Sequence, residues 1–567
     1  MVVARWRVQS AVTLICCPIM VDDPASAAAD AREARDRGSD LVEFRIDGWY
    51  SGSDDPDQIP QLVRLLTDSP LPCIMTCRPV LEGGQYDGDD QARISMFERL
   101  CAATSAGEHA PTYIDVELAT YTRSQNIKQK VNLAVDHPGQ LRSVTTGLIL
   151  SMHDFQSRPP DLFRSISLMT TEPACRVSKV AYRARSLRDN LELLDILLEA
   201  KAAGKPMIAL GMGQFGMMSR VLSPKFDGFL TFASLRRSSA TAPGQPTIDE
   251  LLQLYRFRSI GPATRVYGVI GWPIEHSLSP LVHNAGFDAA GHDGVYLYLP
   301  IPAEYEHFKA TVLSFVDHVG LDFCGASVTI PHKENLVRLA RESYDEGDGR
   351  WSWDELSAVC GAANTLHITR DAKGRAVKIR AVNTDGPAAV GALRDALGGE
   401  LRTVVILGAG GTARALAAAL VQAGVRVRIA NRTPERAAAL VTDLQSTLRV
   451  DDDRLSTVEY ASLAAIGPDA VFNTTSVGMS TGPAPHDVPM PIEVLHALPR
   501  HTVVGESVYT PRITPFVQAA IEHPAGAMQT IDGSRLFVEQ AAAQFELWTG
   551  GQAPRGLFAR IASESAT

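Results

Sequence analysis

Lys179 stands inside the apolar run Val177-Ser178-Lys179-Val180-Ala181, where the pattern predicts a buried strand. A charge there is costly unless it is paired or neutralised, so a strand-interior lysine with a lowered pKa is a candidate nucleophile for imine chemistry. A single such lysine more often snorkels at a strand end, and it is the neighbours that point to chemistry. Ser151-Met152-His153-Asp154-Phe155 closes the preceding strand with a histidine. Leu41-Val42-Glu43-Phe44-Arg45-Ile46-Asp47 sets charges at alternate positions, hence on one face of a strand.

A second set of chemical residues lies downstream. Thr403-Val404-Val405-Ile406-Leu407 runs into Gly408-Ala409-Gly410-Gly411-Thr412-Ala413-Arg414 and an Ala-rich helix. That turn fits G-x-G-x-x-A, which lets the backbone approach a pyrophosphate at a helix N-terminus. About twenty residues on, an NAD site would carry an acid for the ribose 2′-hydroxyl. Here stand Asn431-Arg432-Thr433, with Arg436 one turn later. Cations suit a 2′-phosphate, so the charge pattern points to NADP.

The elements that must hold these residues follow from the apolar runs. Between 13 and 234 there are eight β-rich runs, at 13–19, 41–47, 73–78, 112–118, 147–153, 174–182, 206–213 and 226–234, separated by helix-like or loop stretches. Eight βα units in about 250 residues is the arithmetic of a (β/α)₈ barrel, whose chemistry sits at the C-terminal ends of the strands. Glu43, Arg45, Arg78, His153, Lys179 and Arg220 occupy such places. After a hinge at Ser259-Ile260-Gly261-Pro262 the pattern restarts, with strands at 265–271, 295–301 and 322–330 alternating with helices near 279–290 and 303–319. The second restart, at Leu401, opens a nucleotide-binding Rossmann unit.

The chain has 567 residues, enough for about two to four domains. Its 45% hydrophobic and 21% charged content is that of a globular protein. A net charge of −10 argues against broad binding to nucleic acid or anionic membrane, leaving small molecules as partners. Eight Cys without a C-x-x-C pair read as thiols of a reducing, cytoplasmic setting, with no metal expected. Arg5 and Arg7, the apolar run Ala11 to Val21 and Ala25-Ser26-Ala27 mimic a secretory leader. The reading adopted instead is a buried strand over 13–19 entering a helix capped near Asp23. No run reaches the eighteen or so apolar residues needed to span a bilayer.

Over 11–258 the chain resembles the type I 3-dehydroquinate dehydratases. The resemblance rests on Glu43 to Asp47, Thr76-Cys77-Arg78 with Glu82-Gly83-Gly84, Ser151 to Phe155, Lys179, Gly216 to Arg220 and Ala242-Pro243-Gly244-Gln245. It implies that Lys179 forms an imine with the ketone of dehydroquinate, that His153 moves protons with Glu82 supporting it, and that Arg220 grips the carboxylate. Glu43, Arg45 and Arg78 would hold ring hydroxyls, with Thr241 and Gln245 on a loop closing over the substrate; Thr241 stands where the family usually has serine.

Across about 264–555 the chain resembles shikimate dehydrogenase, with the substrate-binding domain at 264–386 plus 534–560 and the Rossmann domain at 387–533. The matching motifs are His276-Ser277-Leu278-Ser279-Pro280, Ser327-Val328-Thr329-Ile330-Pro331-His332-Lys333, Gly361 to Thr365, Asn383-Thr384-Asp385-Gly386 and Gln540 to Gly550. By that resemblance Ser277 and Ser279 bind the substrate carboxylate, Thr329, Asn364, Asp385, Tyr509 and Gln540 meet the rest of the substrate, and the pair Lys333 and Asp385 protonates the new alkoxide. Gly408, Ala409, Gly410, Gly411, Thr412 and Ala413 would seat the pyrophosphate, and Asn431, Arg432, Thr433 and Arg436 the 2′-phosphate. Ser327 stands where many members carry Asn, and Glu506-Ser507 where an Asp is common. The two resemblances name consecutive reactions, dehydration of 3-dehydroquinate and NADPH-dependent reduction of its product to shikimate. A second half using quinate or NAD, or a catalytically dead pair of binding domains, are the competing expectations; oligomeric state is left open.

Overall fold

The computed structural model describes residues 12–51, 57–102, 109–140 and 144–564. Contacts divide the chain into two units at Thr264/Arg265. Arg5 and Arg7 lie outside the described residues, and the apolar run that follows them is the first strand of the first unit.

That unit is a ring of eight parallel strands: β1 (Leu14–Met20), β2 (Leu41–Arg45), β3 (Cys73–Thr76), β4 (Tyr113–Glu117), β5 (Gly147–Asp154), β6 (Cys175–Arg183), β7 (Met207–Met212) and β8 (Leu230–Phe232). Their order is β7-β6-β5-β4-β3-β2-β1-β8, so β1 joins both ends of the linear sequence of strands. Phe229 N donates to Met207 O at 2.8 Å, bringing the remaining edges together into a nearly closed barrel. Ile15 to Cys17, Ile74, Ile149 and Ile208 are fully enclosed, as expected for strands covered on both faces. Register sets the site: Ser151 on β5 lies level with Lys179 on β6 and with Glu117 on β4, and Thr76 on β3 lies level with Asp115 on β4.

The eighth run is shorter than the pattern predicts. Ser223–Phe226 forms a helical turn, Asp227 adopts φ 62°, and pairing starts only at Leu230. Pro224 at the start of that turn presets a helical φ, which the apolar periodicity does not register.

The second unit holds two six-stranded sheets. The first contains β9 (Arg265–Gly271), β10 (Gly294–Pro300), β11 (Phe323–Val328), β12 (Trp351–Trp353), β13 (Thr365–Arg370) and β14 (Ala376–Val382), in the order β10-β9-β11-β13-β14-β12. The second contains β15 (Thr403–Leu407), β16 (Arg426–Ala430), β17 (Leu455–Thr457), β18 (Ala470–Asn473), β19 (Val503–Glu506) and β20 (Thr530–Ile531). Its order, β17-β16-β15-β18-β19-β20, is all parallel and reverses between β15 and β18. In such a doubly wound sheet, ligands bind outside the strand ends at the reversal. The helix Gly533–Thr549 returns to the first of these sheets, burying Phe537, Ala541, Phe545 and Trp548 with Tyr267 and Val269. Among the described residues no helix is long and apolar enough to cross a membrane.

Candidate active sites

The barrel strands end around one open cleft. Glu43, Arg45, Arg78, Glu82, His153, Lys179, Arg220, Thr241 and Gln245 all line it, so residues spread over two hundred positions of sequence converge there. Lys179 Nζ donates to Asp115 Oδ2 at 2.8 Å, lies 3.8 Å from Glu43 Oε1 and sits over the Phe232 ring. The lysine is therefore held between carboxylates. Burial alone would raise Asp115, but Arg78 and Lys179 outweigh it and hold its pKa far below the usual carboxylate range.

Arg78 is held by three partners on β4 and β5. Its Nη1 donates to Glu117 Oε1 (2.6 Å) and Ser151 Oγ (2.8 Å), and its Nη2 lies 2.9 Å from Asp115 Oδ2. Arg93 Nη1 holds the other oxygen of Glu117 at 2.8 Å. Charges thus alternate along Arg93, Glu117, Arg78, Asp115 and Lys179, each compensating the next in a dry interior. Sequence reading missed Asp115, Glu117 and Arg93. The signal for the first two was present in Tyr113-Ile114-Asp115-Val116-Glu117, acids at alternate positions like the charges of β2.

His153 Nδ1 and its backbone N both lie 3.1 Å from Glu82 Oε2. Burial, reinforced by the Arg78 and Lys179 cations, holds the imidazole well below its ordinary pKa. Burial also pushes Glu82 up to about 8 against the pull of Arg78. A neutral imidazole beside a carboxyl that keeps its proton at neutral pH can both take and return a proton. Arg45 forms a two-pronged pair with Asp47 at 2.8 and 3.1 Å.

Arg220 differs from the other arginines of the cleft. It is 2% exposed, its one hydrogen bond among the described residues runs from Nε to Gly211 O (3.1 Å), and burial pushes its pKa down to about 10. A buried guanidinium without a counter-ion is a ready-made seat for a ligand carboxylate. Gln245 Oε1 accepts from Thr241 N and Oγ1 (3.0 and 3.3 Å), leaving its buried Nε2 without a partner among the described residues.

In the second unit Lys333 and Asp385 each open a helix, Lys333–Asp345 and Asp385–Leu397. Their Nζ and Oδ2 are 2.7 Å apart, and Asn364 Nδ2 donates to Asp385 Oδ1 at 2.7 Å and to Thr384 Oγ1 at 2.9 Å. The pair extends into a buried run of hydrogen bonds. Gln544 Nε2 donates to Asn364 O and Thr365 Oγ1, Ser327 Oγ donates to Gln544 Oε1 at 2.7 Å, and Tyr296 OH donates to Ser327 Oγ at 2.7 Å. Ser327, where Asn was the commoner expectation, is thus absorbed into a complete network. Ser277 Oγ accepts from Ser279 N at the start of the helix after β9, Thr329 follows β11, and half-buried Gln540 lies one turn before Gln544. Tyr509 packs on Phe537 of the Gly533–Thr549 helix, ring centroids 5.4 Å apart.

The cofactor-type cleft opens at the reversal between β15 and β18 and contains Gly408 to Thr412, Asn431, Arg432, Arg436, Tyr460 and Thr474 to Val477, with Lys333 on its other wall. Ala413 lies buried beneath the turn and Thr433 caps the following helix, so these two support the cleft without lining it. Gly408 has φ 115°, and a Cβ there would come within 2.7 Å of Thr474 Oγ1, so the turn needs glycine. Around Gly410 and Gly411 there is open space for a ligand at the N-terminus of the helix Gly411–Gln422. Arg432 and Arg436 are exposed and, among the described residues, neither is paired with a carboxylate. The residues present fit a nucleotide carrying an extra phosphate on its ribose. Tyr460, beside Arg432, was not foreseen; a lone tyrosine in a polar stretch carries no sequence signal.

Residues 15–262 match the family model for type I 3-dehydroquinase. Residues 269–366 match the shikimate dehydrogenase substrate binding domain, 394–476 the shikimate/quinate 5-dehydrogenase model, and 533–560 the shikimate 5′-dehydrogenase C-terminal domain. The chain is 36% identical to the bifunctional 3-dehydroquinate dehydratase/shikimate dehydrogenase, chloroplastic, of Arabidopsis thaliana, over 97% of this chain and 84% of that protein. It is 37% identical to the shikimate dehydrogenase (NADP(+)) of Methanocella arvoryzae, over 53% of this chain and 98% of that one. Among solved structures, shikimate 5-dehydrogenase of Thermus thermophilus in complex with NADP(H) and shikimate is similar over 53% of this chain and 100% of that one, at 27% identity and a TM-score of 0.43.

Proposed function

The chain belongs to the family of bifunctional 3-dehydroquinate dehydratase/shikimate dehydrogenases, and from that premise we propose how its residues divide the two reactions. The enzyme dehydrates 3-dehydroquinate to 3-dehydroshikimate and reduces this ketone with NADPH to shikimate. The barrel, 11–258, carries the first step; 264–386 plus 534–560 holds the second substrate and 387–533 the cofactor.

In the barrel Lys179 loses a proton and its amine adds to the ketone. The carbinolamine expels the former carbonyl oxygen as water, with protons moved by His153, to leave an iminium that water hydrolyses after the dehydration to free the product and the lysine. The carboxylates of Asp115 and Glu43, which hold the resting ammonium, stabilise the iminium because it keeps the same charge in the same place. That cation acidifies the adjacent C–H, and His153 takes the proton and returns one to the departing hydroxide. Glu82 fixes the imidazole through Nδ1. Arg220 receives the substrate carboxylate as a fork, Glu43, Arg45 and Arg78 supply field and hydroxyl contacts, and Thr241 and Gln245 cover the substrate.

In the second unit Ser277 and Ser279 hold the carboxylate, while Thr329, Asn364, Tyr509 and Gln540 meet the ring hydroxyls. Bound NADPH supplies a hydride. The glycine turn 408–413 receives its pyrophosphate, and Arg432 and Arg436, with Asn431 and Thr433, its 2′-phosphate. Lys333 and Asp385, 2.7 Å apart, deliver the proton that the reduced carbonyl oxygen requires. The eight free cysteines support a reducing, cytoplasmic setting.

The observation that carries the reading is Lys179 Nζ, buried in a cleft that also contains a neutral His153 and an unpaired Arg220. Borohydride added with dehydroquinate should fix a ligand mass on Lys179, and Lys179→Ala should abolish dehydration while shikimate oxidation stays near wild type. An active enzyme that yields no adduct at Lys179 would refute the imine route.

A further inference from the structure

Glu506, the last residue of β19, is fully buried, and among the described residues no cation pairs with it. Burial pushes its pKa up to about 7, and the carboxylate form holds above that pH only if donors surround it. They do. Asn473, its register partner at the end of β18, donates Nδ2 to both oxygens at 3.0 Å. Val508 N donates to Oε1 at 2.9 Å, and Thr514 Oγ1 donates to Oε2 at 3.0 Å.

Each end of this cluster leads to a ligand site. Asn473 Oδ1 accepts from Thr475 N (2.9 Å) and Thr475 Oγ1 (2.7 Å), fixing the segment 474–477 that lines the cofactor cleft against Gly408. Val508 and Thr514 bracket the loop that carries Tyr509. Backbone bonds from Ser507 N to Asn473 O and from Ser480 N to Thr510 O, 3.0 Å each, also join these two segments, and Glu506 is the side chain that bonds at once to Asn473 and to both Val508 and Thr514. Resting on the reading of the second unit given above, we propose that Glu506 is a positioning residue which ties the cofactor-side segment 474–477 to the Tyr509 segment, so that one buried carboxylate seats both ligands of the reductase.

An amide is a poorer fit. A glutamine turned with its NH₂ toward Thr514, whose hydroxyl can also accept, would still face the Nδ2 donor of Asn473, and turned the other way it would face both Asn473 Nδ2 and Val508 N–H. Glu506→Gln should therefore raise KM for NADPH and for shikimate together, by about tenfold each, with kcat within about threefold of wild type. Glu506→Asp, which keeps two acceptor oxygens on a shorter stem, should lie between. The dehydratase activity of the same molecules, on its own core, counts the intact chains in every sample. Should the Gln variant not accumulate, the Asp variant carries the same comparison. Unchanged KM values, or a loss of active fraction with both KM values intact, would overturn the proposal by reducing Glu506 to a fold-stabilising residue. Wild type without any shikimate oxidation would instead refute the reading on which it rests.

Discussion

Replacing Arg220 with Met should make the empty barrel more stable while disabling it. The guanidinium is 2% exposed, has no carboxylate partner among the described residues, and has its pKa pushed down from the ordinary arginine range to about 10 by burial. That drop corresponds to about 3 kcal/mol of uncompensated desolvation. Met fills a similar space without charge but forfeits the Nε bond to Gly211 O, which costs about 1–2 kcal/mol including the carbonyl left behind. The balance is a gain of about 1–2 kcal/mol, or roughly 2–8 °C in the barrel's own transition for a unit of this size. Activity moves the other way. Two charge-assisted bonds to the substrate carboxylate are worth about 3–6 kcal/mol, so kcat/KM for dehydroquinate should fall by about two to four powers of ten. Calorimetry of both proteins without ligand, and again with saturating substrate carboxylate, separates the effects. Ligand should raise the wild-type transition and leave the variant's nearly unmoved. A variant that melts several degrees lower, or that keeps its KM, would refute the assignment of Arg220 as a charge waiting for its counter-ion.

The other site residues make equally direct predictions. Lys333→Ala and Asp385→Asn should each lower shikimate oxidation by about two to four powers of ten without touching dehydration, and full reductase activity in both would remove them from the chemistry. Replacing Arg432 and Arg436 together should raise KM for NADPH about a hundredfold while barely changing that for NADH; a wild type that uses NADH equally well would make them ordinary surface residues. Glu82, with a folded pKa raised to about 8 from an ordinary 4.5, favours the protonated folded state. Its contribution to stability is complete below about pH 4.5 and is lost as pH rises through about 8. Urea midpoints of the barrel at pH 5 and 8.5 should therefore differ more in wild type than in Glu82→Gln, and identical differences would contradict the burial argument.

Local pattern was enough to place the strands because apolar period and glycine turns are properties of adjacent residues. β1, β2, β5, β6, β7, β9 and β15 lie within a few residues of the runs that predicted them, and Gly408 adopts the positive φ that its turn requires. Where a competing local preference intervened, as with the helical turn at Ser223–Phe226, the run misled. Lys179 was conspicuous as a charge inside an apolar run, whereas His153, Lys333 and Asp385 stood out only through the motifs around them. What sequence could not give was partnership. Lys179 reads as a charge whose partner is unnamed until β4 is laid two strands away and Asp115 arrives at 2.8 Å. Arg78 and Arg220 look alike as strand-end cations, yet one is surrounded by acids and the other, among the described residues, by none. Glu506 appeared only as a departure from an expected Asp, and becomes an anchor once β18 and β19 are paired. Electrostatic state depends on distance and dielectric, both set by contacts between residues far apart in the chain, so tertiary structure alone decided which charges are satisfied and which await a ligand.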